Sequence, residues 1–337
     1  MSEMRQIARH LVAPAKGILA ADESTGTIKK RFDSIGVEST DETRRQYRQT
    51  LFTTSGLGEH ISGVILYDET IRQSTDGGVP FTKVLEDAGV ISGIKVDTGA
   101  MSLALFPGET VTEGLDGLRE RLAEYREMGA RFTKWRATIF IAEHLPTDFA
   151  IATNADAMAR YAALCQEADL VPIVEPEVLM DGDHHIVACE TATSRALQAL
   201  YAQLDEHRVD LSGKLLKVNM VLCGKGCPDQ ASHAEIAETT IRTLGANVPT
   251  EVPGIVFLSG GMSDEDATIR LNEMNKTSSH PWELSFSYGR ALQQPSLKAW
   301  KGDPANVEAA QKALRHRANM NGLARSGDYT PAMESAA

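Results

Sequence analysis

The run LLKVNMV (215–221), within GKLLKVNMV (213–221), sets one lysine, Lys217, among bulky apolar residues. A short, continuous apolar stretch of this kind reads as a parallel strand covered on both faces. A lysine inside it is costly, because burial disfavours the charged form. Such a lysine either snorkels or pairs with a carboxylate, or it serves as an amine nucleophile toward carbonyls. Burial or a neighbouring cation promotes the second role. The rest of the chain decides between them.

Seven further runs share this character: KGILAAD (16–22), ISGVILYD (61–68), VISGIKVD (90–97), RFTKWRATIF (131–140), LVPIVEPEVL (170–179), GIVFLSGG (254–261) and ELSFSYGR (283–290). Amphipathic stretches lie between them, with apolar residues at three- and four-residue spacing. They are LDGLRERLAEYREMG (115–129), ADAMARYAALCQEAD (155–169), CETATSRALQALYAQLDEH (189–207) and SHAEIAETTIRTLG (232–245). Thr40–Asp41, Thr112 and Ser263 mark helix starts, and Gly129 and Gly245 read as C-terminal caps. Strands that alternate with helices pair in parallel through right-handed crossovers. Eight such units predict an α/β fold, a (β/α)8 TIM barrel formed as a single domain over residues 1–337. The alternative is a doubly wound open sheet. It would want a G-x-G-x-x-G turn after the first strand, and there is none. Residues 328–337 are small and polar and read as a mobile tail.

The chain has 337 residues, 42% hydrophobic and 24% charged, with a net charge of −12. That is ordinary globular composition, and the acidic balance argues against nucleic acid or an anionic membrane as partner. An anionic small substrate would need a local cationic pocket. The N-terminal stretch carries no leader pattern, and no apolar run approaches the ~20 residues that span a bilayer. Four cysteines in a chain this long make no disulfide scaffold, which points to a reducing cytoplasm. Cys223 and Cys227 frame CGKGC without a second pair or spaced histidines, so a loop is a better reading than zinc. The same holds for His184 and His185 in DGDHH.

Residues at i and i+2 point to the same side of a strand. Lys134 and Arg136, Glu175 and Glu177, and Ser285 and Ser287 all use this spacing. A single inward charge could merely hold a barrel together. Asp22, Lys95, Lys134, Arg136, Glu175, Glu177 and Lys217, however, all fall near the C-terminal ends of different strands, where barrel enzymes assemble their sites. Strand seven runs into SGGMSDED, which places glycine-exposed amides before a helix N-terminus and favours an anion. Strand eight runs into YGRAL, which supplies a guanidinium. Lys30 and Arg31, joined by Lys95, form a second cationic group. Two separated cationic patches suit a substrate with a phosphate at each end.

KGILAADESTGTIKKR (16–31), GIKVD (93–97), KWR (134–136), IVEPE (173–177), LLKVNM (215–220), FLSGG (257–261) and SFSYGRAL (285–292) stand in the order seen in class I fructose-1,6-bisphosphate aldolases. The resemblance runs from about Gln6 to Pro331. It implies a cytoplasmic, homotetrameric barrel lyase of glycolysis and gluconeogenesis that uses no metal and no cofactor. Such enzymes cleave fructose 1,6-bisphosphate to dihydroxyacetone phosphate and glyceraldehyde 3-phosphate. The resemblance makes Lys217 the Schiff-base lysine, Glu175 the acid/base that dehydrates the carbinolamine, and Glu177 its supporting carboxylate. Lys134 is then the second cation, which would lower the Lys217 pKa, and Asp22 takes the C4 hydroxyl proton. Arg136 resembles the neighbouring substrate-binding arginine. Ser259, Gly260 and Arg290, with Ser287 and Gly289 beside them, match one phosphate site. Ser24, Thr27, Lys30, Arg31 and Lys95 match the other phosphate's side.

Three positions depart from the pattern. Thr27 stands where many relatives have serine, and Val218 stands where proline is common. The chain ends MESAA, whereas animal relatives have a longer tail ending in a tyrosine that assists proton exchange. Tyr329 is the last tyrosine here, so loss of residues 331–337 is expected to cost little. Two rival readings are a phosphosugar isomerase on the same fold and a non-catalytic scaffold. The first leaves the Lys134, Glu175 and Lys217 cluster unexplained, and the second expects lost catalytic residues.

Overall fold

The computed structural model describes residues 2–277 and 279–336. Eight strands close into one barrel. They are β1 Gly17–Ala20, β2 Ile61–Leu66, β3 Ile91–Lys95, β4 Phe132–Ile139, β5 Val171–Val178, β6 Leu215–Val218, β7 Gly254–Phe257 and β8 Glu283–Tyr288. Every neighbouring pair is parallel, and β8 closes back onto β1. Each expected strand is present, and the barrel rather than the open sheet is the fold. No helix among the described residues is long and apolar enough to cross a membrane.

The continuous apolar runs follow from burial on two sides. All residues of β1, β2, β5, β6 and β7 are buried. Ile18, Ile65, Phe132, Ile173, Leu215 and Val256 share one interior cluster with Leu11 and Val12. The N-terminal helix Glu3–Leu11 therefore plugs the base of the barrel. Phe132 fills the space beside β3. A Cβ on Gly93 would meet its ring at 2.3 Å, so glycine is required at that close approach. With the base filled, the open end is the one to which the strands deliver their C-termini.

The caps show where sequence signals hold. Thr40 opens helix Asp41–Phe52 with a reciprocal cap. Its Oγ1 accepts from the Thr43 amide at 3.1 Å, and its own amide donates to Thr43 Oγ1 at 2.9 Å. Ser263 Oγ accepts from the Asp266 amide at 3.0 Å, and Gly129 turns left-handed at φ 104°. Two signals mislead. Thr112 lies in an antiparallel hairpin, Gly99–Ser102 with Thr110–Glu113, that the sequence did not announce. Its hydroxyl donates to the Arg136 carbonyl on β4 at 2.7 Å, which pins it to the barrel wall, and the next helix begins at Leu118. Gly245 lies inside helix His233–Asn247, which ends when the Val248 amide donates to the Leu244 carbonyl at 2.9 Å.

Small, polar composition gives the tail no evident anchor, yet the structure supplies one. Tyr329 is buried, and its hydroxyl donates to Glu334 Oε1 at 2.8 Å. Glu334 accepts two bonds from buried Arg317, at 2.8 and 2.7 Å, and lies 3.1 Å from His316 Nε2. The expected mobile tail is thus tied down through Glu334 by a buried cation that needs a counter-charge; Ala337 lies outside the described residues. Burial would raise the Glu334 carboxyl, but Arg317 and Tyr329 override it and hold it below the usual range. Replacing it by Glu334→Gln is expected to cost about 1–3 kcal/mol, the size of a lost hydrogen bond to a charged group. A depressed carboxylate contributes stability above its unfolded pKa and loses it as pH falls through the folded one. Thermal melts should therefore separate the two proteins at pH 7 and converge as the pH drops below the carboxylate range.

Candidate active site

A cavity of about 860 Å³ opens at the C-terminal ends of the strands. Asp22, two residues past β1, Lys95 on β3, Lys134 and Arg136 on β4, Glu175 and Glu177 on β5, Lys217 on β6 and Ser287 on β8 all line it. So do Ser259 and Gly260 after β7, Gly289 and Arg290 after β8, and Ser24, Thr27 and Arg31 from the first βα loop and helix. The i, i+2 pattern works because these side chains leave successive inward positions of one strand. Register then brings neighbours level: Lys95 faces Lys134, and Arg136 faces Glu175.

Buried charges need partners, and here cations and carboxylates interleave. Lys134 Nζ lies 2.8 Å from Asp22, 3.5 Å from Glu175 and 4.0 Å from Asp97. Lys217 Nζ lies 3.2 Å from the other oxygen of Glu175. Lys95 pairs with Asp97 at 2.8 Å, and Arg136 with Glu177. Burial would depress the Lys134 ammonium, but Asp22, Glu175 and Asp97 lift it well above the usual lysine range. Burial would likewise raise Asp22, yet Lys134, Lys217 and Lys95 hold it well below the usual carboxylate range. Glu177 moves the other way. Burial raises its carboxyl, and Glu175 adds to the rise against the pull of Arg136. Among the described residues, Ser287 Oγ is buried without a hydrogen-bond partner, and Glu175 Oε2 accepts no hydrogen bond beyond its 3.5 Å ion pair with Lys134. Buried polar atoms left open in this way mark places where a ligand can supply the missing bond.

The cationic rim has two parts. Arg290 donates to the Met262 carbonyl at 2.8 Å beside the Ser259–Gly261 turn, where Gly260 and Gly261 have φ of 34° and 90°. On the other side, Arg31 pairs with Glu23 at 2.5 Å. Glu23 also accepts from buried Arg48 at 2.6 Å and from Gln293 at 2.8 Å. Burial would raise Glu23, but Arg31 and Arg48 hold it low. Lys30 does not join this group. It is exposed and outside the cavity lining, because Ser24, Thr27 and Arg31 share the helix face that meets the cavity. Ser285 is also elsewhere, donating to the Lys16 carbonyl at 2.8 Å toward the base.

Sequence reasoning passed over Asp97 and Glu23. Asp97 stands inside the GIKVD motif and Glu23 inside ADEST, so position in the motif was the available signal. It also gave no warning of Lys214. This lysine is fully buried at the start of the β6 run, with Nζ 3.0 Å from Tyr201 Oη and 4.4 Å from the ring centroid. Burial pushes its ammonium down to about 7, but it does not line the cavity. Tyr329 is absent from the lining as well. Among the described residues, no group of three or more His, Cys, Asp or Glu side chains could hold a metal ion.

Comparison with known proteins agrees with this geometry. The family model described as fructose-bisphosphate aldolase class-I matches residues 3–337. A probable class 1 fructose-bisphosphate aldolase of Xanthomonas campestris is 55% identical over 98% of this chain and 99% of its own. Fructose-bisphosphate aldolase 1 of Toxoplasma gondii is 55% identical over 97% of this chain and 91% of its own. The Plasmodium falciparum aldolase, solved in complex with TRAP and a small-molecule inhibitor, superposes with a TM-score of 0.96 at 48% identity, covering 97% of this chain and 95% of that one. Fold, mouth of charged residues and sequence lead to the same place: the chain belongs to the class I fructose-bisphosphate aldolase family.

Proposed function

We propose that this fructose-bisphosphate aldolase works through an imine between Lys217 and the ketose carbonyl of fructose 1,6-bisphosphate. The observation that carries the reading is a chain of contacts. Lys217 lies 3.2 Å from Glu175, which lies 3.5 Å from Lys134, which lies 2.8 Å from Asp22. That order matches the order of proton movements a retro-aldol cleavage needs.

The Lys217 amine attacks the C2 carbonyl as Glu175 takes its proton. Glu175 returns a proton to the carbinolamine hydroxyl, which leaves as water. Glu177, whose carboxyl is raised mainly by burial, backs Glu175 and holds Arg136 toward the substrate. The protonated imine then draws electrons from the C3–C4 bond. Asp22 accepts the C4 hydroxyl proton as the bond breaks and glyceraldehyde 3-phosphate departs. The enamine takes a proton at C3, and water releases dihydroxyacetone phosphate. Lys134 stays charged throughout and steadies Asp22 and Glu175 by turns. Because the iminium is the electron sink, the cleavage needs no metal.

Ser259, Gly260, Ser287, Gly289 and Arg290 suit one phosphate, and Ser24, Thr27, Arg31 and Lys95 suit the other. Lys30, exposed and outside the lining, takes no part in the resting geometry. The reaction belongs to glycolysis and, in reverse, to gluconeogenesis. A phosphosugar isomerase and a scaffold protein are not favoured, since full-length relatives carry the aldolase name. We further propose an assembly of four copies in the cytoplasm. The free state of all four cysteines supports the reducing compartment.

Lys217→Met is expected to lower kcat by roughly a thousandfold or more, about 4 kcal/mol of barrier. Lys214→Met, three residues earlier in the same run, should leave kcat within about twofold; steady-state cleavage assays on both variants check the contrast. Arg290→Ala is expected to raise KM for the bisphosphate about tenfold, the size of one charged bidentate contact. Its melting temperature should stay near that of the parent, because the side chain is exposed. An unchanged KM would place the phosphate elsewhere.

A further inference from the structure

The CGKGC turn, a plain loop by sequence, is packed against the mouth of the cavity. Its backbone is held by three amide bonds. Gly224 donates to the His184 carbonyl at 2.8 Å, Lys225 to Met180 at 2.8 Å, and Gly226 to Gly182 at 2.7 Å. Gly224 has no room for a side chain, since a Cβ there would lie 2.5 Å from the Gly182 carbonyl oxygen. Lys225, at the crest of the turn, lies over the Ser259–Gly261 loop: a Cβ on Gly261 would lie 2.8 Å from Lys225 Nζ. Its only acidic contact among the described residues is Asp181, at 3.3 Å on a half-exposed surface. Lys225 is therefore a cation carried by the turn and poised over the loop proposed to hold a phosphate.

The two cysteines flank that crest. Cys223 Sγ and Cys227 Sγ both point at one oxygen, the Asp229 carbonyl, at 3.5 and 3.4 Å. Both thiols are free and nearly covered, at 3% and 4% exposure. Cys227 Sγ also lies 3.4 Å from Nδ1 of His185, whose ring faces solvent. This pairs a thiol with a solvent-facing base and a second thiol crowded beside the same acceptor. A base within reach of one thiol and a second thiol sharing its acceptor are two of the elements that a peroxide-driven disulfide uses.

We propose that Cys223 and Cys227 form a peroxide-driven disulfide that draws the CGKGC turn in, shifts Lys225 off the Ser259–Gly261 loop and weakens phosphate binding. The chemistry balances. His185 takes the Cys227 proton, and the thiolate attacks one peroxide oxygen. The O–O bond breaks, leaving a sulfenic acid, and the departing hydroxide recovers the proton from His185 as water. The Cys223 thiol then attacks the sulfenic sulfur, the S–S bond forms, and a second water leaves. Two thiols lose two electrons and one hydrogen peroxide gains them. The catalytic consequence rests on the phosphate role proposed for Ser259 and Gly260.

The test treats reduced, full-length protein with hydrogen peroxide, blocks remaining thiols and maps the peptides. The expected product is about 2 Da lighter, with a crosslink joining residues 223 and 227. KM for the bisphosphate should rise roughly threefold to fivefold, as suits one displaced half-exposed charge, and dithiothreitol should reverse it. Cys223→Ser and Cys227→Ser should cleave normally and keep their KM under peroxide. Oxidation to sulfinic acids without a crosslink overturns the pair, and a crosslink with unchanged KM overturns the switch. A reduced enzyme whose KM ignores Arg290→Ala overturns the phosphate reading on which the switch stands, whatever the peptide map shows.

Discussion

Everything at the mouth of this barrel depends on one buried ammonium, Lys134. It sits among three carboxylates, Asp22, Glu175 and Asp97, at 2.8, 3.5 and 4.0 Å. Alone, an ammonium there would be driven to lose its charge; surrounded, it is more firmly charged than in water. Two of these carboxylates are shared with another cation: Glu175 with Lys217, and Asp97 with Lys95. Removing Glu175 would leave Lys217 without its carboxylate, and removing Lys134 would leave Asp22 without its cation, among the described residues. The network therefore holds its geometry at rest, with Lys217 against one oxygen of Glu175 and Lys134 at 3.5 Å from the other.

The fold supplies what that network needs. The helix Glu3–Leu11 and Phe132 fill the base, so water and substrate have one way in. Parallel strands present their charged residues level with one another, because register on β3, β4 and β5 is continuous. Val218 keeps the strand pairing that its neighbour needs: it lies opposite Phe257, and its carbonyl accepts from Leu258 at 3.1 Å. Glycines at the β7 exit bring bare backbone to the cavity, and Glu23 braces Arg31 with help from Arg48 and Gln293.

The barrel was legible because burial on both faces writes itself into sequence as unbroken apolar runs, and the inward charges were legible as i, i+2 interruptions of those runs. What escaped was set by distant partners. The hairpin carrying Thr112 exists because β4 and Asn154 offer it hydrogen bonds. The tail is anchored by Arg317, a residue whose burial no local pattern reveals. Lys30 and Arg31 look alike in the sequence, and only the helix phase separates the one facing solvent from the one facing the cavity. Asp97 and Glu23 are acidic residues inside quoted motifs, and their importance appears only when the cations around them are located.

Two buried lysines, Lys214 and Lys217, share one apolar run but, three residues apart, point to opposite faces of it. One faces Tyr201 away from the cavity, and the other faces Glu175 inside it. The most direct measurement is borohydride reduction of the protein in the presence of dihydroxyacetone phosphate, followed by intact mass and peptide mapping. An imine at the cavity lysine predicts a single reduced triose phosphate adduct, carried by Lys217. An adduct on Lys214, Lys134 or Lys95, or no trapped adduct in a protein that still cleaves the bisphosphate, would contradict it.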